Sequence, residues 1–440
     1  MMKQYDSYKD SGVEWIGKIP SHWEVGRLKF AGSFDNGLTY SPNDITDESG
    51  ILVLRSSNIQ QSKLDYNDCV YVREAPKELI VDVGDIIICS RNGSANLVGK
   101  CAYVDTQIKA TYGAFMMRFK PVIDKRFAFY LFKTTTDYYK GLFSTTTINQ
   151  LTQGIISQMY IPSVPYLEQQ AIASYLDKKC SEIDKAIATQ EKRQELLKEL
   201  RQNLITQAVT RGINPDAPLK DSGVEWIGAI SAHWDMMKMS IVCKVITDYV
   251  ASGSFADLRN NVEYLDSPDY AMLVRTADLS NKNKDIPRVY VSKSSYKFLS
   301  NSNLFGGEII LPNIGASIGD VYMVPDDLYD KMTLAPNSIM VKTNYNDLYY
   351  YYYFSSLCGR KSLELIGQAA AQGKFNKTEL RQMRVPVPPL SEQQEIVSYI
   401  ESQTARLDKS IEKANHQIEL LQELKQSIIT EVVTGKRKVV

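Results

Sequence analysis

The chain contains much of itself twice. Asp10-Ser11-Gly12-Val13-Glu14-Trp15-Ile16-Gly17 returns unchanged as Asp221-Ser222-Gly223-Val224-Glu225-Trp226-Ile227-Gly228, and His22-Trp23 returns as His233-Trp234 at the same shift of 211 positions. Further on, Glu168-Gln169-Gln170 recurs as Glu392-Gln393-Gln394, Ile183-Asp184-Lys185 as Leu407-Asp408-Lys409, and Leu196-Leu197 as Leu420-Leu421, now shifted by 224. The second half therefore carries 13 more residues between its repeated blocks. Eight identical residues in a row are the mark of a duplication, and an internal repeat constrains architecture before any local propensity does.

Between those blocks the halves agree in outline and differ in detail. Val53-Leu54-Arg55 faces Leu273-Val274-Arg275, and Gly84-Asp85-Ile86-Ile87-Ile88 faces Gly307-Glu308-Ile309-Ile310-Leu311. Arg91-Asn92-Gly93 with Gly99 faces Asn313-Ile314-Gly315 with Gly319. Short β-branched runs punctuated by Gly, Asn and Pro read as strands and tight turns. Each half thus holds a strand-rich globular part of roughly 150 residues, within the usual domain range.

The second repeated block reads as a long helix. Its C-terminal copy places apolar residues at Ile396, Ile400, Leu407, Ile411, Ala414, Ile418, Leu421, Leu424, Ile428 and Val432, the three-and-four spacing of a coiled-coil seam. The first copy repeats it at Ile172, Leu176, Cys180, Ile183, Ile187, Leu197, Leu200, Leu204 and Ala208, with a polar middle at Gln190 and Gln194. Ser391 and Gln394 have the spacing of a capping box, and Gly212 and Gly435 supply the stops. Each helix of about 45 residues would be roughly 65 Å long. Both seams lie in one chain with matched lengths, which favours antiparallel pairing within the chain over simple homodimerisation. Paired so, the helices would hold the globular parts apart as a spacer.

The predicted fold is α+β, a pseudo-two-fold repeat of two strand-rich domains (1–166 and 213–390) separated by two long antiparallel helices (167–212 and 391–440). Its 440 residues fit two to four units at roughly 100–200 each. The N-terminus has no apolar signal core, and the longest apolar run, Leu348 to Phe354, falls far short of the ~18 residues a membrane span needs. Six cysteines without C-x-x-C spacing and only three histidines point to reduced thiols in cytoplasm rather than to a zinc site. Lysine plus arginine equals aspartate plus glutamate at 51 each, so any contact with nucleic acid must come from local patches or a partner.

This alternation of variable domain and long helix resembles the specificity subunit of type I restriction–modification systems, over nearly the whole chain. The most specific pieces are the duplicated S-G-V-E-W-I-G-x-I-x-x-H-W segment (11–23 and 222–234) and the P-x-x-E-Q-Q lead into each helix, Pro165 to Gln170 and Pro389 to Gln394. The resemblance implies two target-recognition domains, each reading one half of a split, asymmetric site in double-stranded DNA. It also implies helices that set the gap and help bind two adenine-N6 methyltransferase subunits, with restriction (translocase) subunits completing the complex. It implies no catalytic site and no cofactor on this chain, because S-adenosylmethionine, ATP and Mg²⁺ belong to those partners. The duplication suits this logic: like parts serve two identical partner subunits, and unlike parts serve two different half-sites in the major groove.

Motifs of other chemistries fall short. The stretches Gly93 to Lys100 and Gly367 to Lys374 imitate a phosphate-binding loop, but each has one residue too many between the glycines and lacks the Ser or Thr after Lys. The Asn/Asp-Pro-Pro-Tyr/Phe tetrapeptide of adenine methyltransferases is missing, and Pro268-Asp269 and Pro325-Asp326-Asp327 have no convincing acidic-x-Lys partner on a nearby strand to form a nuclease site. His22-Trp23 and His233-Trp234 read as packed aromatics beside hydrogen-bonded histidines, and Tyr349 to Tyr353 as a helix packing its own domain. The expected DNA contacts are loop residues: Tyr40, Arg55, Arg91, Asn92 and Ser94 in the first half, Arg275, Asn313 and Ser317 in the second. Arginine pairs with guanine and asparagine with adenine through two hydrogen bonds each. Two other readings remain: a self-contained nuclease or methylase, and a coiled-coil adaptor without sequence preference.

Overall fold

The computed structural model describes residues 4–143, 150–280, 286–368 and 373–439. The chain divides into two compact units, Met1–Gln190 with His416–Val440, and Glu191–Asn415. The two long helices, α1 (Tyr166–Arg211) and α2 (Leu390–Val433), are each shared between the units. The first unit is therefore built from both ends of the chain.

In the first unit an antiparallel sheet runs in the order Cys101–Tyr103, β1 (Ile86–Cys89), β2 (Met116–Pro121), Gly32–Asn36. The unbroken run Ile86-Ile87-Ile88-Cys89 follows from burial on both faces, since successive strand residues point to opposite sides. Ile86 and Ile88 join the large core with Phe119 and Trp23, whereas Ile87 and Cys89 join a second core with Leu54, Tyr112 and Ala102. That second core is capped by a smaller sheet, in which β3 (Ile51–Leu54) and β4 (Ala110–Tyr112) pair in parallel.

The second unit repeats this plan. Its antiparallel sheet runs Cys243–Asp248, β5 (Ser338–Thr343), β6 (Ile309–Pro312), Tyr322–Met323. Ile309 and Leu311 face one core and Ile310 the other. The parallel pair is β7 (Ala271–Val274) with β8 (Met332–Leu334). The tyrosine-rich helix Asp347–Ser355 packs within its own unit, with Tyr349, Tyr350 and Tyr353 fully buried and the Tyr349 hydroxyl donating to the Val209 carbonyl at 2.9 Å.

The duplicated motifs fasten each domain to a helix start. Glu168 accepts the indole N–H of buried Trp23 at 3.1 Å and the hydroxyl of Tyr5 at 3.0 Å, and lies 2.7 Å from His22 Nε2. Glu392 repeats this with Trp234 at 3.0 Å and His233 at 2.8 Å. The following glutamine clamps the turn before the helix. Gln169 donates to Val164 O and accepts from Asp124 N, and Gln393 donates to Pro388 O and accepts from Asn346 N. The expected Ser391–Gln394 capping box is corrected: α2 already begins at Leu390, so Ser391 is helical and the repeated Glu-Gln pair does the fastening.

Segments of α1 and α2 pair antiparallel inside each unit. In the first, Ile172, Leu176 and Ile183 share a core with Ile428, Ile429 and Val432, and Lys425 meets Asp184 at 2.6 Å. In the second, Ile205, Ala208 and Val209 share a core with Ile396 and Ile400, and Arg201 meets Asp408 at 2.8 Å. The seam departs from expectation at two positions. Leu200 and Leu424 are 52% and 49% exposed, because the buried stripe moves to Ile205 and Ile429. Both ends stop at glycines with positive φ, Gly212 and Gly435. At Gly435 a Cβ would stand 2.4 Å from Pro20 and 2.8 Å from Trp23.

Candidate nucleic-acid interface

In the first unit four loops leave strand ends at one place. The segment after β3 carries Arg55 and Ser56, the one after β1 carries Arg91 to Val98, and the turn after β4 carries Gly113 to Phe115. The fourth holds Tyr40. Leu38 N–H donates to Tyr112 O at 2.7 Å and bridges Gly113, and the Tyr40 ring lies beside Gly113. The Asn92 amide donates to Ser56 Oγ at 3.3 Å and accepts the Ser94 N–H at 3.0 Å, while Lys100 Nζ reaches Ser56 O at 3.4 Å. Five of the residues singled out in the sequence are thus brought together, with Ser56, Lys100 and Phe115 added. Beneath them, burial pushes the Cys89 thiol up and raises the Tyr112 hydroxyl to about 12, against the pull of Arg118. Cys89 and Tyr112 are thus neutral groups beneath the cluster, with the buried Arg118 guanidinium over the Tyr112 ring.

Two of the expected contacts, Arg55 and Arg275, have partners within the chain. Arg55 precedes a single turn of 3-10 helix, where its N–H is capped by Asn58 at 3.0 Å, and its guanidinium meets the Asp68 carboxylate at 2.8 Å. Arg275 stands at the same place after β7, holding Asp278 through two nitrogens at 2.9 and 2.7 Å and Pro287 O at 2.7 Å. Hydrogen bonding to Asp278 raises the Arg275 pKa further. Arg91, by contrast, is exposed and lies over the Phe115 ring.

The second unit corrects a register. Arg91 forms a β-bridge with Gln150, and the matching bridge joins Ile314, not Asn313, to Lys374. Asn313 is therefore the counterpart of Ser90. It is 5% exposed, and its amide donates to Phe375 O at 2.8 Å, tying the loop to the segment after 372 rather than offering an edge to solvent. Ser317 is exposed in the turn Gly315–Ser317. From the bridge to the glycine that closes the loop, the first unit spans Arg91 to Gly99 and the second only Ile314 to Gly319. One frame thus carries loops of different length and chemistry. Of the phosphate-loop-like stretch from Gly367 to Lys374, residues 369–372 lie outside the described residues.

A different surface repeats instead of varying. Residues 195–209 read E-L-L-K-E-L-R-Q-N-L-I-T-Q-A-V and 419–433 read E-L-L-Q-E-L-K-Q-S-I-I-T-E-V-V. In both, the leucines at the second and sixth positions are about half exposed: Leu196 and Leu200 in one unit, Leu420 and Leu424 in the other. Sequence periodicity assigned Leu200 and Leu424 to the seam and so concealed this stripe. Among the described residues no cluster of three or more His, Cys, Asp or Glu could hold a metal ion, and no helix is long and apolar enough to cross a membrane.

With this geometry in place, the comparisons with known proteins agree with one another. The family described as type I restriction modification DNA specificity domain matches residues 20–199 and again 233–420. The chain is 23% identical to the StySPI type I restriction enzyme specificity subunit of Salmonella potsdam, and 22% identical to the EcoKI specificity subunit of Escherichia coli. Each alignment covers 96% of this chain and 90% of the relative. A chain from a structural study of complex assembly and conformational transition in the type I R-M system superposes with a TM-score of 0.68 at 15% identity, covering 94% of this chain and 98% of the other.

Proposed function

The chain belongs to the type I restriction modification DNA specificity family, and from that premise we propose that it reads a split, asymmetric duplex site and aims methyltransferase and restriction subunits at it. One observation carries this reading: on a duplicated scaffold, some exposed positions repeat and others do not. Leu196 and Leu200 recur as Leu420 and Leu424, so two places offer one apolar stripe. Folding of either unit does not need those leucines in water, whereas two copies of a partner subunit need the same surface twice. The loops after β1 and β6 differ in length and residues, as two unlike half-sites require.

In this reading the chain supplies binding and geometry and performs no chemistry. Methyl transfer with S-adenosylmethionine, and cleavage with ATP and Mg²⁺, belong to the subunits it positions. DNA contact comes from the loop clusters, with Arg91, Asn92, Ser94 and Tyr40 in one unit and Ser317 in the other. The decisive experiment is adenine-methylation mapping of a host genome with and without this gene, the methyltransferase subunit being supplied in both. A two-part motif that appears only with the gene is the expected result. An unchanged methylation pattern would overturn the assignment.

A further inference from the structure

At the rim of the first unit's loop cluster stand two exposed side chains that packing does not require. Phe115 is 61% exposed, yet the backbone beneath it is held: its carbonyl accepts the N–H groups of Ser90 at 3.0 Å and Arg91 at 3.1 Å, and Met116 N–H returns to Gly113 O at 2.8 Å. A large apolar ring is thus fixed in water by a stiff turn. The Arg91 guanidinium lies 5.4 Å from its centroid. Among the described residues no carboxylate lies within ion-pair distance of Arg91, while Arg55 and Arg275 are both paired. Arg91 therefore keeps its charge uncompensated and its rotamers narrowed by the ring, which lowers the entropy lost on binding.

The second unit has the same two positions with their chemistry exchanged. Ile314 occupies the place of Arg91, as the bridges to Lys374 and Gln150 show. Asn337 occupies the place of Phe115, three residues past the end of the parallel strand, where its carbonyl accepts Asn313 N–H at 3.2 Å. Both are exposed, and Asn337 has a φ of 67°. Each unit thus presents one apolar and one hydrogen-bonding side chain at matched points of a common frame, in opposite order.

We propose that these two positions determine specificity: Arg91 and Phe115 read a guanine and an adjacent thymine in the half-site of the first unit, and Ile314 with Asn337 reads a different step in the other half-site. The inference rests on the DNA-reading function proposed above. Its chemistry is the pairing of a guanidinium with guanine O6 and N7, and of an apolar ring with the thymine methyl, both displayed in the major groove.

The test is selection from a randomised duplex pool by the full-length chain bound to its methyltransferase subunits, comparing wild type, Phe115→Asn, and the double variant R91I/F115N. The expected result is a two-part motif for wild type containing a G–T step in one part. The double variant should lose preference at that step by on the order of 10- to 100-fold, and Phe115→Asn at the thymine alone, with the other part unchanged. The unchanged part reports that the protein remains folded. A wild-type two-part motif that both variants select with equal strength would overturn this inference while leaving the proposed function standing. Loss of both parts together would assign the ring a structural role and overturn it as well. A wild-type complex that selects no motif would overturn the proposed function itself.

Discussion

The indole of Trp23 donates to the carboxylate of Glu168 at 3.1 Å, and 211 residues later Trp234 donates to Glu392 at 3.0 Å. Both indoles are fully buried, so each glutamate satisfies a donor that water cannot reach. The pairing ties the segment before each domain to the start of the helix after it.

Glu168→Ala should therefore destabilise the chain by about 1.5–3 kcal/mol, the range for a hydrogen bond to a charged group whose partner is left unpaired. Differential scanning calorimetry should show a fall in Tm of roughly 5 °C, and Glu392→Ala a similar one. Glu168→Gln keeps an acceptor and should lose less. Equal stability of Glu168→Ala and wild type would show that the fastening lies elsewhere.

The arginines separate by their partners. Arg55→Ala frees Asp68 and should lower stability by up to ~1 kcal/mol, with the preferred DNA sequence unaltered. Arg91→Ala touches no carboxylate and should leave the melting temperature unchanged while weakening DNA binding several-fold, more so at low salt. Fluorescence anisotropy on the selected duplex, beside thermal melting, distinguishes the two. A shared phenotype would count against the division.

The repeated leucines predict a stoichiometry. L196E/L200E and L420E/L424E should each fold normally, since all four side chains are already about half exposed. Each double variant should lose one methyltransferase subunit and keep the other, with the affected affinity reduced on the order of 100-fold or more. Native mass spectrometry of the assembled complex reads this directly. Retention of two subunits by both variants would remove the leucine stripe from the interface.

Spacing is the remaining test. Gln194 donates a hydrogen bond to Asn415, which marks where the antiparallel helices meet. Four residues inserted after Gln194 and four after Ile418 lengthen each helix by about 6 Å. At ~3.4 Å per base pair the gap in the methylated motif should grow by about two base pairs, with both half-sites retained. A motif with its original gap would exclude the helices as the ruler.

The sequence by itself determined the duplication, the two long helices and the strand-rich parts between them. These are carried by exact repeats and by periodicities of two and of three to four, which local geometry imposes directly on the chain. It also located the loops: Tyr40, Arg55 and the Arg91-Asn92-Gly93-Ser94 stretch lie far apart in sequence and gather at one end of a unit because β1, β3 and β4 pack on one core and Leu38 hydrogen-bonds to the end of β4. Only the tertiary structure decided what each loop residue is free to do. Arg55 and Arg275 are engaged by Asp68 and Asp278, and Asn313 is buried against Phe375, partners that no spacing rule announces. The same holds for Leu200 and Leu424, where a helix period gives the width of an apolar face but not which part a neighbour covers. Phe115 went unread for the converse reason. A lone phenylalanine in a turn looks like core, and only the fixed backbone beneath it shows the ring held out into water.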